Sequence, residues 1–218
     1  MKLIKASTLL DVKYETLPLA ASWIEMFGNL PSDFQMTIKG NPGGGKSTLA
    51  MLLANELATK VGKVAILTYE ESNKDAPKGR KKQKDFRLSV QNRIALVKKK
   101  QPLHDNFLLL QKPPENILDE KLMELLGKCD FIVVDSLQSA HIDKHVYQQL
   151  LDALPFRGWI FISQLNDKGK SGKNSIEHMV DINVKITNGL AAVTKNRYAP
   201  LKAIRIFTKQ AHTLSLDV

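Results

Sequence analysis

A single cysteine, Cys129, stands among the 218 residues of the chain. No intrachain disulfide can form, which fits a reducing cytoplasm and leaves Cys129 as a small buried apolar residue. Long hydrophobic runs are missing as well. No stretch approaches the roughly 18 apolar residues that a membrane-spanning helix needs. Ser7, Thr8, Asp11 and Lys13 interrupt the first segment, so it lacks the continuous apolar core of a signal peptide. Internal repeats are absent, and no Gly/Ser or Pro linker divides the chain. What remains is an ordinary globular composition, 43% hydrophobic and 25% charged, in one domain spanning 1–218. Such a length buries roughly 70% of the unfolded surface.

Acidic residues are scarce in one place only. The formal net charge is +10, and Lys74–Lys100 carries eleven basic residues against Asp75 and Asp85, which is +9 of it. This is a local basic insertion in an otherwise balanced chain. It is either a polyanion footprint or a solvated face that keeps the protein soluble.

Short apolar runs alternate with helix-compatible stretches. Phe34–Lys39, Lys63–Tyr69, Phe107–Leu110, Asp130–Asp135 and Trp159–Ser163 read as strands. Lys46–Lys60, part of 85–98, Glu115–Leu126 and Lys144–Leu154 read as helices. The apolar FIVVD run is of the buried parallel type, and the alternation predicts a parallel sheet covered by helices on both faces. An N-terminal segment, 1–30, precedes this pattern. From about residue 180 the texture changes to INVKIT, LAAVTK, LKAIRIF and HTLSLDV, with Asn188-Gly189 between the first two. Asn-Gly there signals a hairpin, so 180–218 is expected to form a mostly antiparallel meander at one sheet edge.

Between the first strand and its helix lies Gly40-Asn41-Pro42-Gly43-Gly44-Gly45-Lys46-Ser47, followed by Thr48. It satisfies G-x-x-x-x-G-K-[ST], a pattern expected by chance in about one chain in a hundred of this length. Glycines let backbone N–H groups turn inward around phosphate oxygens at a helix N-terminus. Lys46 then reaches the β/γ-phosphates of a nucleotide and the Ser47 hydroxyl ligates Mg²⁺. The metal site needs a carboxylate at the end of a buried strand. Asp135 is the candidate, the alternative being a helix cap from its Asp-Ser pair. Hydrolysis also needs a group to orient or deprotonate water. Glu70 and Glu71 follow a strand at the sheet edge where such folds bind ligands, or are plain surface residues. Gln164 closes another strand at that edge, where its amide can hydrogen-bond a γ-phosphate or satisfy a loop.

Together these segments resemble the RecA-type ATPase core of the RadA/Sms recombination proteins and the DnaB-type replicative helicases. GNPGGGKSTL (Gly40–Leu49), AILTYEES (Ala65–Ser72), VVDSLQS (Val133–Ser139), EHMVD (Glu177–Asp181) and KNRY (Lys195–Tyr198) are similar to RadA/Sms; ISQLN (Ile162–Asn166) is similar to the DnaB type. The resemblance implies a RecA-like fold from about Gly28 onward. It also implies Mg²⁺-dependent ATP hydrolysis and action on single-stranded DNA as a helicase or translocase in replication, repair or recombination. Glu70 matches the catalytic glutamate and Gln164 the γ-phosphate sensor. Lys195 and Arg197 match a pair that reaches the neighbouring subunit's nucleotide. A homo-oligomeric ring or filament, of the hexamer type, follows from that pair. Ala199 departs from the family's glycine. No Cys₄ zinc module, protease-like domain or DnaB-type N-terminal domain accompanies the core, the form a phage or mobile-element version in the cytoplasm would take.

The resemblance also matches Leu165–Ser175 to a loop facing DNA. Its Lys168, Lys170 and Lys173, in a Gly/Ser-rich setting, suit sequence-independent phosphate contacts, or are solvated. The run Lys78–Lys84 contains no aromatic residue for base stacking; it lines a ring face or is an insertion. Two competing readings stand beside the helicase. One is an ATP-gated DNA-binding or loading factor that does not unwind, the other a P-loop small-molecule kinase.

Overall fold

The computed structural model describes residues 5–69, 88–110, 112–165 and 176–206. Eight strands, β1 (Gln35–Gly40), β2 (Val64–Thr68), β3 (Phe107–Leu110), β4 (Phe131–Asp135), β5 (Gly158–Gln164), β6 (Ile182–Thr187), β7 (Leu190–Asn196) and β8 (Ala203–Arg205), form one sheet in the order β3-β2-β4-β5-β1-β6-β7-β8. Every pairing from β3 through β6 is parallel, while β7 and β8 are antiparallel additions. The helices are α1 (Ala21–Phe27), α2 (Lys46–Lys60), α3 (Leu88–Lys100), α4 (Glu120–Leu126) and α5 (Lys144–Ala153).

Successive strand side chains point to opposite faces, so a strand covered on both sides must be apolar throughout. β4 obeys this. Phe131 and Val133 join the core beneath α1, α2 and α3, whereas Ile132 and Val134 join the core beneath α4 and α5. Trp159 and Phe161 of β5 stack at 5.5 Å in the second core, and Tyr147 of α5 meets Phe161 edge-on. The α/β fold with helices on both faces is therefore as the alternation predicts.

The central α2 is apolar almost all round because it is wrapped by neighbours. Two of its buried polar residues, Asn55 and Glu56, tie it to neighbouring segments by hydrogen bonds. Glu56 accepts from the Ala20 amide at 2.8 Å, and Asn55 donates to the Pro102 carbonyl at 2.8 Å. Cys129 is buried, which pushes its thiol up with a smaller push from Asp130.

Several boundaries differ from expectation. α4 starts at Glu120 rather than Glu115 because Asp119 caps it through the Leu122 amide, after an Asn116 side-chain turn onto Leu118. Asn188 (φ 50°) and Gly189 (φ 75°) form the left-handed turn that Asn-Gly predicts. Across that turn β6 pairs antiparallel with β7, as expected, while its other side runs parallel to β1, from Met36 opposite Ile182 to Gly40 opposite Ile186. The meander is thus β6, β7 and the three-residue β8, joined to the parallel part of the sheet through β6. HTLSLDV and Lys78–Lys84 lie outside the described residues.

The short α1 went unrecognised in the sequence because its helical signal is only two turns long. It ends at Gly28 (φ 80°), and the Phe27 carbonyl accepts from Asn196 at 3.1 Å. A Cβ on Gly28 would sit 2.8 Å from the Ala199 methyl. The methyl at Ala199 is thus accommodated by a missing one at residue 28. Among the described residues, no helix is long and apolar enough to cross a membrane.

Candidate functional site

The loop from β1 to α2 is shaped by two left-handed glycines, Gly43 (φ 71°) and Gly45 (φ 102°), where a side chain would be strained. The Gly44 amide closes the turn onto the Asn41 carbonyl at 3.1 Å. Gly45 is the N-cap of α2 and offers no side chain to cover the helix's first amides, which suits an anion-binding end. The Lys46 ammonium reaches back over the loop to the Asn41 carbonyl at 3.0 Å and is only 7% exposed. Gly40 has a different reason to be glycine. A Cβ there would lie 2.6 Å from the Ile186 carbonyl oxygen. Gly40→Ala should push β1 from β6 and lower the melting temperature by about 2–10 °C, read by calorimetry.

At the start of α2 the Ser47 hydroxyl donates to a carboxylate oxygen of Asp135 at 2.7 Å. Asp135 ends β4, is 2% exposed, and is followed by a cis peptide to Ser136. It caps no helix. The next one, α5, begins at Lys144 and is capped by Asp143. Among the described residues no three His, Cys, Asp or Glu side chains gather as a metal cluster. A Mg²⁺ carried by a nucleotide needs none, since phosphates and water supply most of its ligands. Adjacent ligands of a Mg²⁺ octahedron sit roughly 3 Å apart, close to the separation of Ser47 Oγ and Asp135 Oδ2. Hydroxyl, carboxylate and spacing fit that ion.

Strand order brings a third group to this edge. β5 lies between β1 and β4, and Gln164 is level with Gly40. The Gln164 backbone is held by Gln138, whose amide oxygen accepts from the Gln164 N–H at 3.2 Å and whose NH₂ donates to the Gln164 carbonyl at 3.3 Å and to Ser163 Oγ at 2.9 Å. Gln138 therefore ties the turn after Asp135 to the end of β5. Nothing local in the sequence marks a glutamine that works by bridging a turn and a distant strand. Gln164 ends β5 at that edge. A cleft of about 370 Å³ opens beside the loop, lined by Pro42, Gly43, Gly45 and the first turn of α2 and by Arg93 and Leu96 of α3.

Glu70 and Glu71 lie outside the described residues, as do Lys168, Lys170 and Lys173. Tyr69, immediately before Glu70, is buried at the end of β2, and burial pushes its phenol up to about 12, with Asp119 adding to the effect. The residues flanking 166–175 are both attached to β1. Leu165 donates weakly to the Gly40 carbonyl at 3.4 Å, and Glu177 is paired with Lys39.

Lys195 and Arg197 are elsewhere. In the β6–β7 pairing Lys195 lies opposite Asn183, at the end of the sheet where β1 begins. Arg197 pairs with Asp181 at 2.9 Å, and the second Asp181 oxygen accepts from the Gln35 amide at 2.9 Å. The Lys195 ammonium donates to the carbonyls of His178 and Val180. Burial lowers its pKa, and the nearby Arg197 charge lowers it further. From Gln35 to Gly40 is five strand steps, roughly 16 Å, so these cations stand at the opposite edge from their own chain's glycine loop.

No known protein family matches the sequence, and no curated protein is significantly similar to it.

Proposed function

We propose that this protein is a Mg²⁺-dependent ATP hydrolase with a RecA-like core that acts on single-stranded DNA as an oligomer, in the manner of a helicase or translocase. The observation that carries the reading is the pairing of Ser47 and Asp135 beside the glycine loop. In P-loop nucleotide hydrolases the loop's Ser/Thr and a buried strand-end Asp hold Mg²⁺ between them, and a serine opening a helix after GGGK beside a buried carboxylate from another strand supports that arrangement here. Support comes from strand order, with Gln164 between the phosphate loop and Asp135 at the carboxyl edge of parallel strands, where α/β sheets bind ligands.

Each chain residue then has a task. The loop amides and Lys46 bind and orient the phosphates, and Ser47 with Asp135 holds the metal. Glu70 takes a proton from the attacking water, and Gln164 contacts the terminal phosphate. Mg²⁺, when bound, neutralises charge on the β- and γ-phosphoryl oxygens. Lys195 and Arg197 serve the adjacent protomer, because their own loop lies beyond their reach. Leu165 and Glu177, on either side of 166–175, are held by Gly40 and Lys39, the residues that lead into the proposed phosphate loop.

ATP turnover that requires Mg²⁺ and rises with a single-stranded oligonucleotide is the expected result; no turnover under any of these conditions overturns the reading. Neutralising Lys168, Lys170 and Lys173 together should weaken oligonucleotide binding across sequences and flatten the dependence of log K on log salt by about 2, at about 0.7 per phosphate contact. An unchanged slope would remove the segment from the DNA interface.

A further inference from the structure

The geometry points to α3 as the nucleoside-side wall of the nucleotide site, with Arg93 as a second cation for the phosphate chain and Leu96 as the apolar seat of the base. This rests on the phosphate-loop reading above and extends it to a helix that no motif marks.

The direction of the phosphate chain follows from what surrounds Ser47. On one side its hydroxyl faces Asp135. On the other lies the cleft shared by Lys46, Ser47, Thr48, Arg93 and Leu96, to which Asp135 contributes nothing. A chain of phosphates held by Lys46, with its metal toward Asp135, leaves past Thr48 toward α3. The cleft volume, about 370 Å³, falls within the range of small-molecule sites.

Arg93 comes to that position through helix packing. It lies three residues after Val90 and four before Val97, the two fully buried residues of α3, so it shares the face that packs on α2. Leu96, one turn further and 49% exposed, presents an apolar surface to the same cleft. The wall is set in place independently of any ligand. Gln101 donates to the Leu52 carbonyl of α2 at 2.8 Å, and Lys100 donates to the Ile206 carbonyl at 3.0 Å. A guanidinium fork meets two phosphate oxygens at once and is weakly hydrated, which favours this role over a lysine. Within the basic insertion, Arg93 is thus separated in function from the charges around it.

Binding of ATP and of inorganic tripolyphosphate, each with Mg²⁺, should be titrated against the parent chain and against Arg93→Gln, Leu96→Ala and Lys46→Ala. Melting without ligand reports folding. Arg93→Gln should weaken both probes about tenfold or more. Leu96→Ala should weaken ATP a few-fold and leave tripolyphosphate unchanged, since only ATP carries a base. If Arg93→Gln binds both probes within twofold of the parent while Lys46→Ala loses them, α3 is not the wall and the phosphate-loop reading survives. If the parent binds neither probe, that reading falls and takes this one with it. Should Arg93→Gln melt early, Arg93→Lys, which keeps stem and charge but lacks the fork, must still weaken ATP; affinity equal to the parent's overturns the contact.

Discussion

Asp135→Asn should leave the fold intact and ATP binding near the parent level, yet remove at least about a hundredfold of Mg²⁺-dependent turnover. The amide oxygen of asparagine can still accept the Ser47 hydroxyl, so the 2.7 Å contact survives in kind. What disappears is a negative charge at a position 2% exposed, where no bulk solvent competes for the ion. Metal stabilisation of developing phosphoryl charge is worth several kcal/mol, and each 1.36 kcal/mol is a decade in rate. Initial rates across a Mg²⁺ titration provide the measurement, with melting as the control. Higher Mg²⁺ should recover part of the rate. A variant that turns over at the parent's rate at every Mg²⁺ concentration would leave Asp135 as a strand-end residue and no more.

The Lys195→Ala/Arg197→Ala double variant should lose about 10³-fold or more in kcat, the range over which a cation supplied in trans acts, while retaining ATP affinity in the isolated subunit. Placement carries the expectation: the two cations sit at the sheet edge opposite the loop of their own chain. Some stability should be lost as well, read by melting: the Arg197–Asp181 bridge, with the Arg197 side chain 56% exposed, contributes about 1 kcal/mol or less, and the Lys195 bonds to the His178 and Val180 carbonyls add about 1–3 kcal/mol. The decisive measurement mixes this variant with Lys46→Ala. Each is inactive alone. In a mixed oligomer the first offers an intact loop and the second intact cations, so activity should reappear at their junctions. Mixtures as inactive as their components, under conditions where mixed oligomers are seen by mass measurement with a non-hydrolysable ATP analogue and oligonucleotide, would end the shared-pocket picture.

Much of the local architecture was legible because the signals were periodic and complete within a few residues. The apolar FIVVD strand, Lys46 as the start of a helix and the Asn188-Gly189 turn each arise from short-range sterics and a burial pattern. α1 and the start of α4 were not, for opposite reasons: the first has too few turns to show a period, and the second is set by an Asp119 cap competing with an earlier turn at Asn116.

The sequence by itself determined the glycine loop and the helix it opens, since Gly43, Gly45, Lys46 and Ser47 lie within one turn of backbone whose conformation is local. It also marked Asp135 and Gln164 as residues closing buried strands. Only tertiary structure decided that β5 separates β1 from β4, that β6 joins the parallel part of the sheet, and that Gln138 holds the end of β5. The same holds for the placement of Arg93 at the loop and of Lys195 with Arg197 at the far edge. Such pairings are between residues dozens of positions apart, and strand order, which sets them, is chosen by how two whole faces of a sheet are covered at once rather than by any segment's own preference.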